Sequence, residues 1–272
     1  MLFFKKKVEN FDKMGKEEAE FLRDKKQSLK VLEFEKIHGG YRVRTTWKDR
    51  LKSKLNSIER LVFPDTYEGE PVIEVANISL LKALKNIVLP DTLIRLGNCN
   101  FWHNNNVVFY EYDNAYYLGN PNNNYLVLIK AKDKDITSCT VCQSTKIIYV
   151  DAFSGCKNLQ NVVFEDNASL VNLDDWAFEG CKALESIILP KSLQMLGTWL
   201  FADCDNLKSI FYEGTIEDFW KALDKTNWLL KPDLKSGALY DDDRVHYYSE
   251  EEPAKNGNLK YWHYVDGVPT VW

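Results

Sequence analysis

This chain of 272 residues has only four histidines, and no apolar run in it approaches the ~20 residues that a bilayer-spanning helix needs. A membrane-inserted protein is therefore not expected. His38, His103, His246 and His263 are scattered, none is paired with a nucleophile at a recognisable spacing, and no glycine-rich phosphate loop is present. Function lives in assembled sites, and none is written here. The acidic runs Asp241–Asp243 and Glu250–Glu252 lack the glycine and the ligand alternation of a calcium loop. They read as solvated loop charges. One metal-like motif exists, Cys139-x-x-Cys142, but no second pair or nearby histidine completes four zinc ligands. One core cysteine and one turn cysteine are the simpler reading. No catalytic, cofactor-binding or metal-binding residue is assigned, and no cofactor is expected.

Positive charge is also scarce: 35 Lys and Arg stand against 40 Asp and Glu, a net charge of -5. That excludes nucleic-acid binding through the whole surface. A local basic stretch does run from Arg42 to Lys54, with Trp47 inside it and Asp49 its sole acid. A solvated strand and loop explains it, with an anionic-surface patch as the alternative. The start, Met1-Leu-Phe-Phe4-Lys-Lys-Lys7, has too short an apolar run, in the wrong order relative to its lysines, for a signal peptide. As written, the chain is expected to stay in the cytoplasm, with the cell surface as the alternative if an export signal is missing from it.

What the chain does have is a repeat. Phe153, Phe178 and Phe201 lie 25 and then 23 residues apart, and each is followed by Cys three residues on, Leu six on and apolar residues nine and eleven on. The three copies run through Cys156, Leu159, Val162 and Phe164; Cys181, Leu184, Ile187 and Leu189; and Cys204, Leu207, Ile210 and Tyr212. This period falls in the window of roughly 20 to 29 residues typical of stacked coils with one strand and one turn each. Strand alternation makes positions nine and eleven the inward pair, and the Phe, Cys and Leu positions stack on their counterparts. The cysteines are expected to be free thiols serving as small apolar side chains.

Ile187-Ile-Leu-Pro190-Lys-Ser-Leu193-Gln-Met-Leu196-Gly197, and earlier Ile87-Val-Leu-Pro90-Asp-Thr-Leu93-Ile-Arg-Leu96-Gly97, complete the pattern together with Ala-Phe-x-x-Cys. It resembles the BspA type of leucine-rich repeat, over about Leu29 to Trp272. That resemblance implies a bacterial, adhesin-like surface protein with a protein partner. It does not name the ligand, because repeat scaffolds carry many unrelated binding functions.

The fold expected is thus mainly β and poor in helix: a leucine-rich repeat solenoid capped by an N-terminal hairpin and by a C-terminal helix plus hairpin. Residues 1–28 form a helical segment or tail. Residues 29–57 form the hairpin cap, with strands about His38-Gly39-Gly40. The solenoid runs over 58–214, with strands at Leu61–Phe63, Ile87–Leu89 and Ser138–Val141. After Phe101 the same rule gives Asn104, Val107, Tyr110 and Tyr112. A hairpin insertion at about 115–131 either projects or replaces one coil's return path. The cap at 215–272 starts with Thr215 as helix N-cap, turns Phe219, Trp220, Leu223 and Leu230 to the last coil, and ends in a hairpin about Asp266-Gly267.

Position ten of each copy lies between the inward pair and points outward, which yields an apolar row of Val62, Val88, Val163, Ile188 and Phe211, interrupted by Glu111 and Thr140. This row is the candidate partner-binding stripe; ordinary β-branched strand chemistry is the competing explanation. A non-enzymatic scaffold binding a protein of unknown identity is the function expected, with an adhesin or an enzyme whose site is not visible in sequence as alternatives.

Overall fold

A repeat coil leaves apolar core open at its end, so the first question is what closes it. The computed structural model describes residues 17–46, 57–76, 78, 83–97, 99, 106–227, 243–253 and 259–272. These residues belong to two units, Met1–Val108 and Phe109–Trp272.

In the first unit, helix α1 (17–28) is followed by β1 (Leu32–Ile37) and β2 (Gly40–Thr45), antiparallel about the turn where Gly39 takes a φ of 83°. Next come β3 (Arg60–Val62), β4 (Thr66–Tyr67), β5 (Glu70–Ala76), β6 (Asn86–Val88) and β7 (Arg95–Leu96). The parallel pairs β3–β6 and β5–β7 define two coils. Each ladder has its own cap. The expected hairpin pairs through β2 with β5, while α1 serves β3: the Val62 N–H donates to Ser28 Oγ at 2.9 Å, and the Phe21 ring lies 5.5 Å from the Arg60 guanidinium. Covering both edges removes rows of unpaired backbone groups. In the basic stretch, Arg42 is held by Glu74 at 2.8 Å and by Glu35 at 3.3 Å, and Arg44 by Glu33 at 3.4 Å. These two cations are neutralised within the sheet; Trp47, Lys48, Arg50, Lys52 and Lys54 lie outside the described residues, as do Phe101 and Asn104.

The second unit opens with a meander of β8 (Tyr110–Tyr112), β9 (Ala115–Leu118) and β10 (Val127–Ala131). β8 is antiparallel to β9, so it is not the parallel repeat strand expected there, and Tyr110 is exposed rather than inward. The hairpin insertion replaces a return path. β10 pairs in parallel with β12 (Ile147–Ile148), which continues through β14 (Asn172–Leu173) to β16 (Met195–Leu196). The longer repeat strands stand opposite: β11 (Ser138–Val141) pairs with β13 (Asn161–Phe164), and β15 (Ser186–Leu189) with β17 (Ser209–Tyr212).

Between the two ladders the repeat columns stack as the register requires. Phe153, Phe178 and Phe201 stack with ring centroids 5.1 and 5.4 Å apart and planes within 9° of parallel. The cysteine column adds what spacing alone did not show. Cys181 Sγ donates to the carbonyl of Phe153 at 3.3 Å and Cys204 Sγ to that of Phe178 at 3.0 Å, each reaching one coil back. Phe164 is half-buried, while Val162, Ile187, Leu189, Ile210 and Tyr212 are buried. Coils approach closely at the Leu-Gly motif: a Cβ on Gly197 would meet the backbone nitrogen of Asp175 at 2.4 Å, so only glycine fits.

All six cysteines are thiols; five are buried and Cys142 is half-buried. Burial pushes the Cys99 and Cys139 thiols up to about 12, which withholds the reactive thiolate. Under native conditions a thiol reagent should therefore label Cys142 first and the others only on unfolding, with all six titrating in denaturant without reductant. Mass spectrometry of the labelled chain checks this; prompt native labelling of Cys156, Cys181 or Cys204 would contradict the stacked column.

The C-terminal cap starts at α2 (Ile216–Asn227). Thr215 is its N-cap, its Oγ1 accepting from the Asp218 N–H at 3.2 Å. Phe219 and Leu223 are buried against the repeat core, but Trp220 is exposed: one position on from Phe219, it turns about 100° away around the helix. Leu230 lies outside the described residues. Within this cap one strand was not anticipated. β18 (Val245–Tyr248) pairs in parallel with β17, and β19 (Lys260–Val265) with β18, before the hairpin closes through β20 (Val268–Val271).

Candidate functional site

The outward row resolves into two kinds of residue. Val163 is 54% exposed and Ile188 is half-buried, and both stand on the outer face of the second unit. Phe211 is not available: it is 8% exposed, with the His246 and Trp262 rings each centred 5.2 Å from its own. Val62 and Val88, side by side in the β3–β6 pair of the first unit, are 1% and 7% exposed. Helix α1 approaches Val62: Phe21 reaches Arg60, on the same strand face as Val62, and Ser28 accepts from the Val62 N–H. Three of the five row positions are thus corrected from solvent-facing to covered. Alternation states only which way a side chain leaves its strand; it says nothing of what packs outside.

Val163 and Ile188 share a groove of about 690 Å³, walled by Tyr248 and Tyr264. Among the described residues no strand pairing joins β13 to β15, although β14 pairs with β16 in the same two coils. On that side β13 and β15 lie next to each other without a hydrogen-bonded ladder, and the groove lies over both strands.

Each wall has a local cause. Trp262 is buried across the end of β17, its indole N–H donating to the Tyr212 carbonyl at 3.0 Å. Tyr264, two residues on and on the same face, has its ring 4.8 Å from that of Trp262 and 6.2 Å from that of Tyr248. Its hydroxyl donates to Glu213 at 2.9 Å. Burial first, and then the Glu213 hydrogen bond and the charges of Glu213 and Asp166, hold the Tyr264 phenol above its ordinary range. At the other rim Glu165 accepts from the Tyr112 hydroxyl and, at 2.6 Å, from the Gln143 N–H. Those hydrogen bonds hold its carboxyl below the usual range, and Glu165 in turn lifts the Tyr112 phenol to about 12.

Sequence reasoning missed Tyr248, Tyr264, Asp166 and Glu213 as site residues. Tyr264 falls in the hairpin expected about Asp266-Gly267, but Tyr248 sits on a strand that follows no repeat. Among the described residues no helix is long and apolar enough to cross a membrane, and no group of three or more His, Cys, Asp or Glu side chains is placed to hold a metal ion.

Residues 131–228 match the family described as the BspA type leucine-rich repeat region, in six copies. No curated protein matches the chain. Among solved structures, the chain is similar to a leucine-rich repeat protein of T. pallidum (20% identity over 67% of this chain and 58% of that one, TM-score 0.25). It is also similar to one from Eubacterium ventriosum (24% identity, 57% and 42%, TM-score 0.34) and to a leucine-rich cell surface protein from Faecalibacterium prausnitzii (15% identity, 67% and 53%, TM-score 0.29). The chain spans about half the length of each of these structures. With its ladders of parallel strands and its stacked Phe and Cys columns, the repeat segment of this chain, residues 131–228, is a leucine-rich repeat region of the BspA type.

Proposed function

We propose that this chain is a non-enzymatic scaffold that binds a protein partner through the groove floored by Val163 and Ile188. The repeat family supports the coarser statement, a protein-interaction scaffold; the observation that carries the finer one is Val163, an aliphatic side chain 54% exposed on the floor of a groove walled by two tyrosines. Aromatic walls around a desolvatable apolar floor are the composition of interface cores.

The test separates folding from binding. Replacing Val163 and Ile188 together by lysine leaves the fold intact, because an exposed strand position tolerates the change within about 0.5 kcal/mol and a half-buried lysine can lay its stem along the sheet with its ammonium in water. An apolar contact with a partner does not survive, since seating it would strip water from two ammonium groups at a cost of several kcal/mol. Urea unfolding, and crosslinking to partners in the cells that make the protein, are compared for wild type and double variant. The expected outcome is matching unfolding curves with lost crosslinks; a folded variant that keeps the same crosslinked partners places binding elsewhere.

A further inference from the structure

We infer that the segment seated in this groove is cationic: an extended stretch of polypeptide whose Lys or Arg side chains meet the carboxylates of the rim while its apolar side chains rest on Val163 and Ile188. The inference rests on the groove being the binding site and adds the chemistry of its occupant.

Four carboxylates line the groove, Glu165, Asp166, Glu213 and Glu250, against one ammonium, Lys191. Elsewhere on the repeat, two acids are paired with lysines one coil away: Glu185 with Lys208 at 3.0 Å and Asp205 with Lys182 at 3.1 Å. Other repeat carboxylates, such as Asp175 and Glu179, are held by neutral donors as well, but the groove gathers four acids in one place. Its two anchored carboxylates are held by neutral donors, Glu213 by the Tyr264 hydroxyl and Glu165 by the Tyr112 hydroxyl and the Gln143 N–H. Among the described residues none of the four forms an ion pair. A neutral donor fixes a carboxylate in place and leaves its charge uncancelled, so the rim holds a preformed negative field that a cation enters without breaking an existing pair.

The type of cation follows from spacing. No three acidic or ligating side chains among the described residues stand close enough to share a metal ion, so the charges suit several cationic groups spread along a chain. The apolar floor and the tyrosine rings point the same way. Lysine and arginine carry apolar stems that lie on aliphatic and aromatic surface, and their charged heads gain further against tyrosine faces.

Fluorescence anisotropy of labelled peptides tests this on the full chain. Three short peptides share their apolar residues and differ at alternate positions, which are all lysine, all serine or all glutamate. They are titrated with wild type, with the Asp166→Asn/Glu213→Gln variant, whose new amides keep the shape and the tyrosine hydrogen bond, and with the Val163→Lys/Ile188→Lys variant. The lysine peptide should bind wild type about tenfold more tightly than the serine peptide at ~50 mM salt, with the preference fading at ~500 mM, where screening shortens to a few ångströms. The amide variant should lose most of the preference while unfolding like wild type. Equal binding of the lysine and serine peptides, or no binding by any of them, overturns the cationic occupant. Displacement of the lysine peptide by stoichiometric calcium overturns it in favour of a metal site. If the lysine peptide binds the Val163→Lys/Ile188→Lys variant as well as it binds wild type, the groove itself is the wrong location.

Discussion

Phe178→Ala should cost about 3 to 5 kcal/mol of unfolding free energy. Its ring is fully buried and stacked on both sides, 5.1 Å from Phe153 and 5.4 Å from Phe201. Removing it therefore leaves a void between two coils rather than at one surface, and the surrounding backbone has little room to collapse. Parallel strand pairs hold the neighbouring coils in place on the side of β14 and β16. The Phe178 carbonyl is also the acceptor for Cys204 Sγ, so relaxation that shifts this corner costs a second inter-coil contact. Urea denaturation followed by far-UV circular dichroism measures the loss. A change below about 1 kcal/mol would mean that the column does not carry the packing assigned to it.

Trp262→Ala should lose a comparable amount, about 3 to 5 kcal/mol. Trp262 heads the fully buried large side chains; its ring contacts Phe211, Tyr248 and Tyr264, and its N–H holds the Tyr212 carbonyl at 3.0 Å. Trp262→Phe divides the effect. It keeps much of the ring area and removes the donor, so it should cost less, on the order of 1 to 3 kcal/mol for the buried acceptor left without its indole partner. Loss of the indole also uncovers Phe211 and frees Tyr264 to move, so either change should weaken groove binding even where the repeat core remains folded. Equal stability of wild type and Trp262→Ala in urea would show that the C-terminal strands do not cover β17 in solution.

These two residues mark the limits of what could be read without coordinates. Phe178 was legible because its role repeats: Phe153 and Phe201 occupy the same place, and any coil must stack what its neighbours stack. Cys139 was placed inward by the same count, and β11 runs over the four residues expected, Ser138–Val141. Trp262 was legible as a hairpin residue, not as the cover of Phe211. Nothing near it in sequence shows that Lys260–Val265 crosses to a strand ending fifty residues earlier, through a β18 that itself has no repeat signature.

The candidate site divides along the same line. Its floor, Val163 and Ile188, followed from counting ten residues past Phe153 and Phe178. The sequence by itself determined the repeat register, the stacked Phe, Cys and Leu columns and the side of the strand on which each residue leaves, because those depend on contacts between adjacent coils that recur at a fixed period. Only the tertiary structure decided which outward residues stay open to a partner. Val62 and Phe211 are met by segments outside the repeat, α1 and the β18–β19 strands, and the tyrosine walls and charged rim assemble from residues up to a hundred positions apart. Long-range packing of that kind leaves no period in the sequence to find.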